Sequence, residues 1–382
     1  MSLLDRYAID LAALKAKGRL RALAPRAGLD FSSNDYLGLA SSRRLARALA
    51  SALERGTAVG ASGSRLLRGN DPAHEALESE AARFFHAPAS LLFGSGYQAN
   101  VAVLATLPQR GDLIVFDALS HASTIDGARA SRAVIIESAH NDCEAVNAQI
   151  RLWREHGGRG HPWIAVESLY SMDGDRAPLS DLATIAERHD GYLLIDEAHA
   201  TGVFGPDGRG LAHNLEGREN VVVLHTFGKA LGGSGALITC APVLREFLVN
   251  RCRQLIFATA PSPLMAVAAC ESLVALREEP ERQARLGALI RHYQQRAARY
   301  GIPATDSQIQ PIVLGDDVLT IEVASSLQQA GFDVRGIRPP TVPEGTSRLR
   351  VSLTLNVTAE AVSALLERIS DTAGNRQTWA TG

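Results

Sequence analysis

The hydrophobic positions along this chain fall into short unbroken runs. "SLLF" (90–93), "DLIVFD" (112–117), "AVIIE" (133–137), "WIAVE" (163–167), "YLLIDE" (192–197), "VVVLHT" (221–226) and "GALITC" (235–240) are seven strand candidates, most of them separated by segments of helical period. Strands that are apolar at every position, rather than at alternate ones, are covered on both faces, which predicts an α/β architecture around a mainly parallel sheet. The last two runs are close enough to pair as antiparallel neighbours. Among the helical segments, "NDPAHEALESEAARFF" offers Asn70 or Asp71 as N-cap, Pro72 at the first helical position, and Leu77, Ala81 and Phe84 on one face. "SDLATIAERH" (180–189) predicts a helix capped by Ser180. Residues 5–23 predict an amphipathic helix with Leu11 and Leu14 on one side.

The texture changes after about residue 245. Long helical stretches (263–300) lead into a tail of mixed strand and helix character. These patterns divide the chain into an N-terminal arm (1–38), a large α/β domain (39–279) and a small C-terminal α+β domain (280–382).

Composition narrows the function. The 382 residues are 46% apolar and 21% charged, with a formal net charge of −2, which points away from nucleic acid and from anionic membrane surfaces. The N-terminal segment has no uncharged hydrophobic core of the signal-peptide kind, and "PLMAVAACESLVAL" is interrupted by Glu271, so a soluble, cytoplasmic protein is expected. Four separated cysteines without a C-x-x-C pair fit a reducing compartment and give no zinc site.

In an open parallel sheet, ligands collect at the carboxyl ends of the strands. The segments that follow the apolar runs, "GSGYQAN", "ALSHAS", "SLYSMDGD", "EAHATG" and "TFGK", are all polar or Gly-rich. Lys229 stands between Thr226 and the glycines at 232, 233 and 235. A lysine after a strand is most often a solvated charge. Here, glycines that permit close approach and expose N–H groups to an anion suit an amine acting as a nucleophile toward an aldehyde. A phosphate-binding Walker loop is excluded, because Ala230 follows the lysine and Val223 occupies the place of the first glycine. Asp196, alone a helix cap or hydrogen-bonder, becomes a partner for a protonated pyridine nitrogen once paired with such a lysine. His121 and His199 are polar loop residues in isolation and ring contacts in that setting. "GSGYQAN" resembles a dinucleotide turn only weakly; a helix N-terminus whose N–H groups suit one phosphate fits better. Of Arg338, Arg348 and Arg350, the last two share one face of a strand, and a guanidinium is the natural partner of a substrate carboxylate.

Taken together, "SNDYLGL", "HASTIDG", "SMDGD", "DEAHATGVFG", "TFGKALGGSGA" and "GIRPPTVPEGTSRLRVSLT" resemble the α-oxoamine synthases over nearly the whole chain. The resemblance implies the aspartate-aminotransferase-like fold (fold type I), pyridoxal 5′-phosphate as cofactor, a homodimer, and condensation of an amino acid with an acyl thioester. "SMDGDRAPL" and "IRPPTVP" lie nearest the branch that joins L-alanine to a pimeloyl thioester, carried on CoA or on an acyl carrier protein, in biotin biosynthesis. Glycine C-acetyltransferase, 5-aminolevulinate synthase and serine palmitoyltransferase share the lysine, the aspartate and the histidines, so they stay open as alternatives, as does a non-catalytic subunit of the same fold.

The resemblance also implies roles. Lys229 would hold the cofactor and act as base, Asp196 would pair with the ring nitrogen, and His121 would stack on the ring. His199 and Ser171 would contact the ring oxygen side, Thr226 would reach the phosphate, and Gly96 and Tyr97 would form the first loop of the cofactor site. Asn34 and Arg350 would hold the amino-acid carboxylate, while Arg21 and Thr341 would line the acyl side, with His121 also touching substrate.

Overall fold

The computed structural model describes residues 3–23 and 25–373. Strand β1 (Leu29–Asp30) belongs to the smaller of two compact units. Strands β2 (Ala89–Phe93), β3 (Leu113–Asp117), β4 (Val134–Ser138), β5 (Pro162–Glu167), β6 (Tyr192–Asp196), β7 (Val221–Thr226) and β8 (Ala236–Cys240) build the sheet of the larger. The larger unit comprises Leu37–Ser171 and Arg176–Gln283; the smaller takes the chain up to Tyr36, Met172–Asp175 and the chain from Ala284.

The seven strands lie in the order β2-β8-β7-β6-β5-β3-β4. Only β8 runs against its neighbours, pairing antiparallel with β2 and with β7. Both faces of this sheet are covered. Leu91, Phe93, Ile114, Trp163, Leu194, Val222 and Leu224 pack into one buried cluster, and Leu113, Val115, Ile164, Leu193, Ile195, Val221 and Val223 into another. In β3, β5, β6 and β7 alternate residues therefore serve opposite cores, which is why those runs carry no polar position until they end. The edge strand β4 departs from the expectation of two covered faces, with Val134 and Ile135 exposed. The parallel strands place their carboxyl ends along one edge, and there Glu167, Asp196 and Thr226 close β5, β6 and β7.

The helices of this unit are set by local chemistry. Asp71 caps Pro72–Phe84 in a reciprocal box with His74, and Leu77, Ala81 and Phe84 are buried as the pattern requires. Ser180 does not cap its helix. The helix begins at Leu179 behind Pro178, whose ring sets the entry while its missing N–H is one that the first turn leaves unpaired, so Ser180 already lies inside.

The smaller unit holds an antiparallel sheet of β11 (Arg335–Ile337), β12 (Ser347–Ser352) and β9 (Ile309–Gly315), and a parallel pair of β1 with β10 (Phe332–Asp333). All six residues of β12 are buried. The N-terminal helix is shorter than its periodicity predicts, running only over Asp5–Ala16. Gly18 takes φ +66 just beyond it, a turn that L side chains resist, and Arg19 leaves the helical path to meet Asp317 at 2.6 Å and Glu344 at 2.6 Å. No residue of this helix is fully buried; Leu11 faces outward and Leu14 is half-buried. Among the described residues no helix is long and apolar enough to cross a membrane.

Candidate active site

The strand-end residues of the larger unit are held by several sets of hydrogen bonds. Asp196 is buried at the end of β6. Its Oδ1 accepts from the Ala198 N–H at 2.9 Å and its Oδ2 from Asn100 Nδ2 at 2.7 Å. Three residues on, the buried His199 receives Lys229: Nζ lies 2.6 Å from His199 Nε2, which accepts when the amine is charged. Lys229 follows β7 through Thr226, whose Oγ1 donates to Gly235 O at 3.3 Å and accepts from the Gly228 N–H at 3.2 Å.

The glycines beyond Lys229 serve a backbone. A Cβ on Gly232 would stand 2.4 Å from Ala40 N and from Leu39 C. Its N–H donates to Lys229 O at 2.9 Å, and that of Gly233 donates to Phe227 O at 2.7 Å. These two N–H groups are therefore engaged inside the turn. The close approach expected there is made by another segment of chain, and the anion-facing role expected for the glycine run does not hold at these two positions.

His121 sits at the N-cap of helix Ala122–Ala130. Its Nδ1 accepts from the Ser123 N–H at 3.2 Å and lies 2.8 Å from Ser123 Oγ, which in turn accepts from Asn100 Nδ2 at 2.9 Å. Tyr97 stands edge-on to the ring at 6.2 Å between centroids, and its hydroxyl donates to Asp126. Gly96 opens helix Gly96–Thr106 behind Ser95, whose side chain accepts from the Gln98 N–H at 3.1 Å. Beneath His121, the buried Glu167 accepts from the His121 N–H at 2.7 Å and the Ser171 N–H at 3.2 Å.

Charge follows from this packing. Burial, reinforced by the charge of Asp196, pushes the Glu167 carboxyl up to about 8 against the opposing pull of Lys229. His121 keeps an exposed side. Desolvation of the rest of the ring, with Lys229 acting in the same sense, still lowers its pKa against the pull of Asp196.

The chain matches the model of the aminotransferase class I and II family over residues 26–369. It is 40% identical over 366 residues to a protein of Geobacillus kaustophilus named putative 8-amino-7-oxononanoate synthase, which covers 95% of this chain and 93% of that one. It is 43% identical over 338 residues to the 8-amino-7-oxononanoate synthase of Burkholderia mallei, covering 86% and 84%. The chain belongs to the α-oxoamine synthase family. In structure it is similar to the serine palmitoyltransferase of S. paucimobilis solved with bound pyridoxal phosphate and myriocin, with a TM-score of 0.89 at 26% identity over 98% of this chain and 99% of that one.

In this α-oxoamine synthase the smaller unit carries two further groups of expected residues. Tyr36 joins Asn34 to Arg350: its hydroxyl donates to Asn34 Oδ1 at 2.9 Å and accepts from Arg350 Nη2 at 3.4 Å. Arg350 also donates to Ser352 Oγ at 2.7 Å. Separately, Arg21 donates to Thr341 Oγ1 at 3.0 Å. Arg348 is buried as well, but it is held by Asp173 and by Thr346 O at 3.0 Å. Both arginines of β12 are thus buried, as their shared strand face predicts.

Asn100, Ser123, Glu167 and Tyr36 were not among the expected residues. Glu167 carried a signal equal to that of Asp196: a carboxylate closing an all-apolar strand. Asn100 and Tyr36 lay inside the distinctive segments "GSGYQAN" and "SNDYLGL", with nothing in either pattern to say what they touch.

Proposed function

We propose that the chain condenses L-alanine with a pimeloyl thioester to give 8-amino-7-oxononanoate, CO2 and a free thiol, with pyridoxal 5′-phosphate as cofactor. The observation that carries this reading is the pairing of Lys229 with His199 at 2.6 Å on the sheet edge that ends in Asp196. Identity of 40–43% to relatives named for that product selects the substrates.

The donor set fits the cofactor. The two hydrogen bonds named for Asp196 come from neutral donors, so its charge is available to a protonated ring nitrogen. A Cβ on Gly96 would meet Thr226 and Leu224 no closer than 3.7 Å, so the helix start is open on this side, with room for a phosphate to approach its N–H groups. When bound, the cofactor supplies an electron sink for the negative charge that develops on the amino acid's α-carbon.

The chain's own residues do the rest. Lys229 holds the cofactor through its amine and moves the α-proton, with His199 Nε2 as its neighbouring acceptor. Asp196 keeps the ring nitrogen protonated, and His121 covers the ring face. Ser171 and His199 address the ring oxygen, while Thr226 with the N–H groups of Gly96 and Tyr97 addresses the phosphate. Asn34 and Arg350, linked by Tyr36, hold the alanine carboxylate. Arg21 and Thr341 line the path of the acyl chain. The protein is expected to work as a cytoplasmic homodimer. Four free thiols suit that compartment, and the outward Leu4 at the cap of the N-terminal helix, with Tyr7 and Leu11 within it, suits a second copy.

The test is turnover of the purified, cofactor-loaded protein with three substrate pairs, read as thiol release. The pairs are L-alanine with pimeloyl-CoA or its carrier-protein equivalent, glycine with acetyl-CoA, and L-serine with palmitoyl-CoA. Preference for the first pair by at least about tenfold in kcat/KM supports the proposal, as a difference of about 1.4 kcal/mol in transition-state binding. Preference for either other pair overturns it. Lys229→Ala should abolish turnover while leaving the circular dichroism spectrum unchanged; wild-type turnover in that variant would remove the lysine from the mechanism.

A further inference from the structure

A proton count through the buried network determines the form of His121. Asn100 places one side-chain atom 2.7 Å from Asp196 Oδ2. A carboxylate only accepts, so that atom is Nδ2; the reverse orientation would set oxygen against oxygen. The same Nδ2 lies 2.9 Å from Ser123 Oγ, which therefore accepts from it. The other close neighbour of Oγ is His121 Nδ1 at 2.8 Å, toward which the hydroxyl proton points once that nitrogen carries none. The Ser123 backbone N–H is directed at the same nitrogen from 3.2 Å. Two donors converge on Nδ1, and a protonated Nδ1 could receive neither.

We propose that Asn100 and Ser123 are positioning residues: together they couple the Asp196 carboxylate to His121 and hold its ring neutral, with the proton on Nε2. Asn100 and Ser123 are themselves buried, at 1% exposure each, so solvent does not compete for these bonds. The charged groups acting on the ring are Asp196, Lys229 and Asp126, with Tyr97 edge-on and Glu167 below its backbone N–H. The lowering of the His121 pKa by desolvation and by Lys229 agrees with the neutral form. For the reaction proposed above, on which this consequence rests, a neutral imidazole covers a protonated pyridine without like-charge repulsion, and its Nε2–H is a donor for a substrate oxygen.

The experiment is nitrogen NMR of the full-length, cofactor-loaded protein labelled at histidine, without substrate, with His121 assigned by the signal lost in His121→Gln. The expected result is a neutral, Nε2-protonated ring at pH 7 that titrates below the usual imidazole value of about 6.5. Ser123→Ala should bring in the Nδ1-protonated form and raise the titration midpoint, and Ser123→Thr, which keeps a hydroxyl, should restore the wild-type ring. Asn100→Ala should produce the same mixture by releasing the Ser123 hydroxyl. Both alanine variants should lose about tenfold in kcat with KM values within about twofold, since only the reacting state is affected. A wild-type ring protonated on Nδ1 at pH 7 overturns the proposal, as does a wild-type tautomer in both alanine variants. Because the tautomer is read without substrate, a wrong choice of substrate pair in the proposed function would leave this result standing.

Discussion

Tyr36→Phe isolates the group that joins the two residues proposed to hold the amino-acid carboxylate. The ring is fully buried and Phe fills the same space, so the variant removes one hydroxyl and creates no cavity. It loses the 2.9 Å bond to Asn34 Oδ1 and the acceptor 3.4 Å from Arg350 Nη2. The second contact is too long to contribute much, so the loss is that of one neutral hydrogen bond, about 0.5–1.5 kcal/mol. If the hydroxyl acts by holding Asn34 and Arg350 in register for a carboxylate, that energy appears in alanine binding. KM for L-alanine should rise about two- to twelvefold, by the conversion of about 1.4 kcal/mol per tenfold. KM for pimeloyl-CoA should stay within about twofold, and so should kcat at saturating alanine, because the clamp binds ground state and transition state alike. Steady-state kinetics with each substrate varied at saturation of the other separates these outcomes. An unchanged KM for alanine with a lowered kcat would refute the reasoning, placing the hydroxyl in the chemical step or in the fold instead.

Arg348→Ala should behave differently: it leaves Asp173 without its buried guanidinium and should lower stability by about 2–3 kcal/mol in urea unfolding, with KM for alanine within about twofold. A selective rise in that KM would give Arg348 the role assigned to Arg350. Gly232→Ala must take φ +64 with its Cβ 2.4 Å from the Leu39–Ala40 backbone; the left-handed conformation alone costs about 1–2 kcal/mol, so the melting temperature should fall by several degrees, and an unchanged value would contradict the packing. Glu167 has its carboxyl raised from 4.5 to about 8, so between those values the folded state binds more protons than the unfolded chain and its stability declines as pH rises, by at most about 1.4 kcal/mol per pH unit. In cofactor-free protein, the stability of Glu167→Gln minus that of wild type should therefore increase from pH 5 to pH 8, and a flat difference would show that the carboxyl is ionised throughout.

What the chain reveals before it is folded depends on whether a property is local or shared. Four of the seven strands, β3, β5, β6 and β7, were legible because each serves two cores, leaving an apolar run that closes on a polar residue; those closing residues then mark the candidate site by position alone. That rule located Asp196 and Thr226, and applied evenly it reaches Glu167. It fails for Asn100 and Tyr36, whose importance lies in partners 96 and 314 positions away, Asp196 and Arg350. A helix-interior amide and a buried phenol have the same local pattern whether they pack or position. The helix predicted over 5–23 fails for a related reason: periodicity continues past Ala16, but Gly18 and the ion pairs of Arg19 with Asp317 and Glu344 draw the chain away, and a partner nearly three hundred residues on leaves no trace in a window of eighteen. The glycines after Lys229 fall between these cases. Their freedom of φ was evident, and the need for a close approach with it. Whether the approaching body was an anion or the backbone of Leu39 and Ala40 could be settled only by where the N–H groups of Gly232 and Gly233 go, and both turn inward to the carbonyls of Lys229 and Phe227. A turn closed on its own carbonyls and packed against a second chain segment is what fixes the backbone from which Lys229 reaches 2.6 Å to His199.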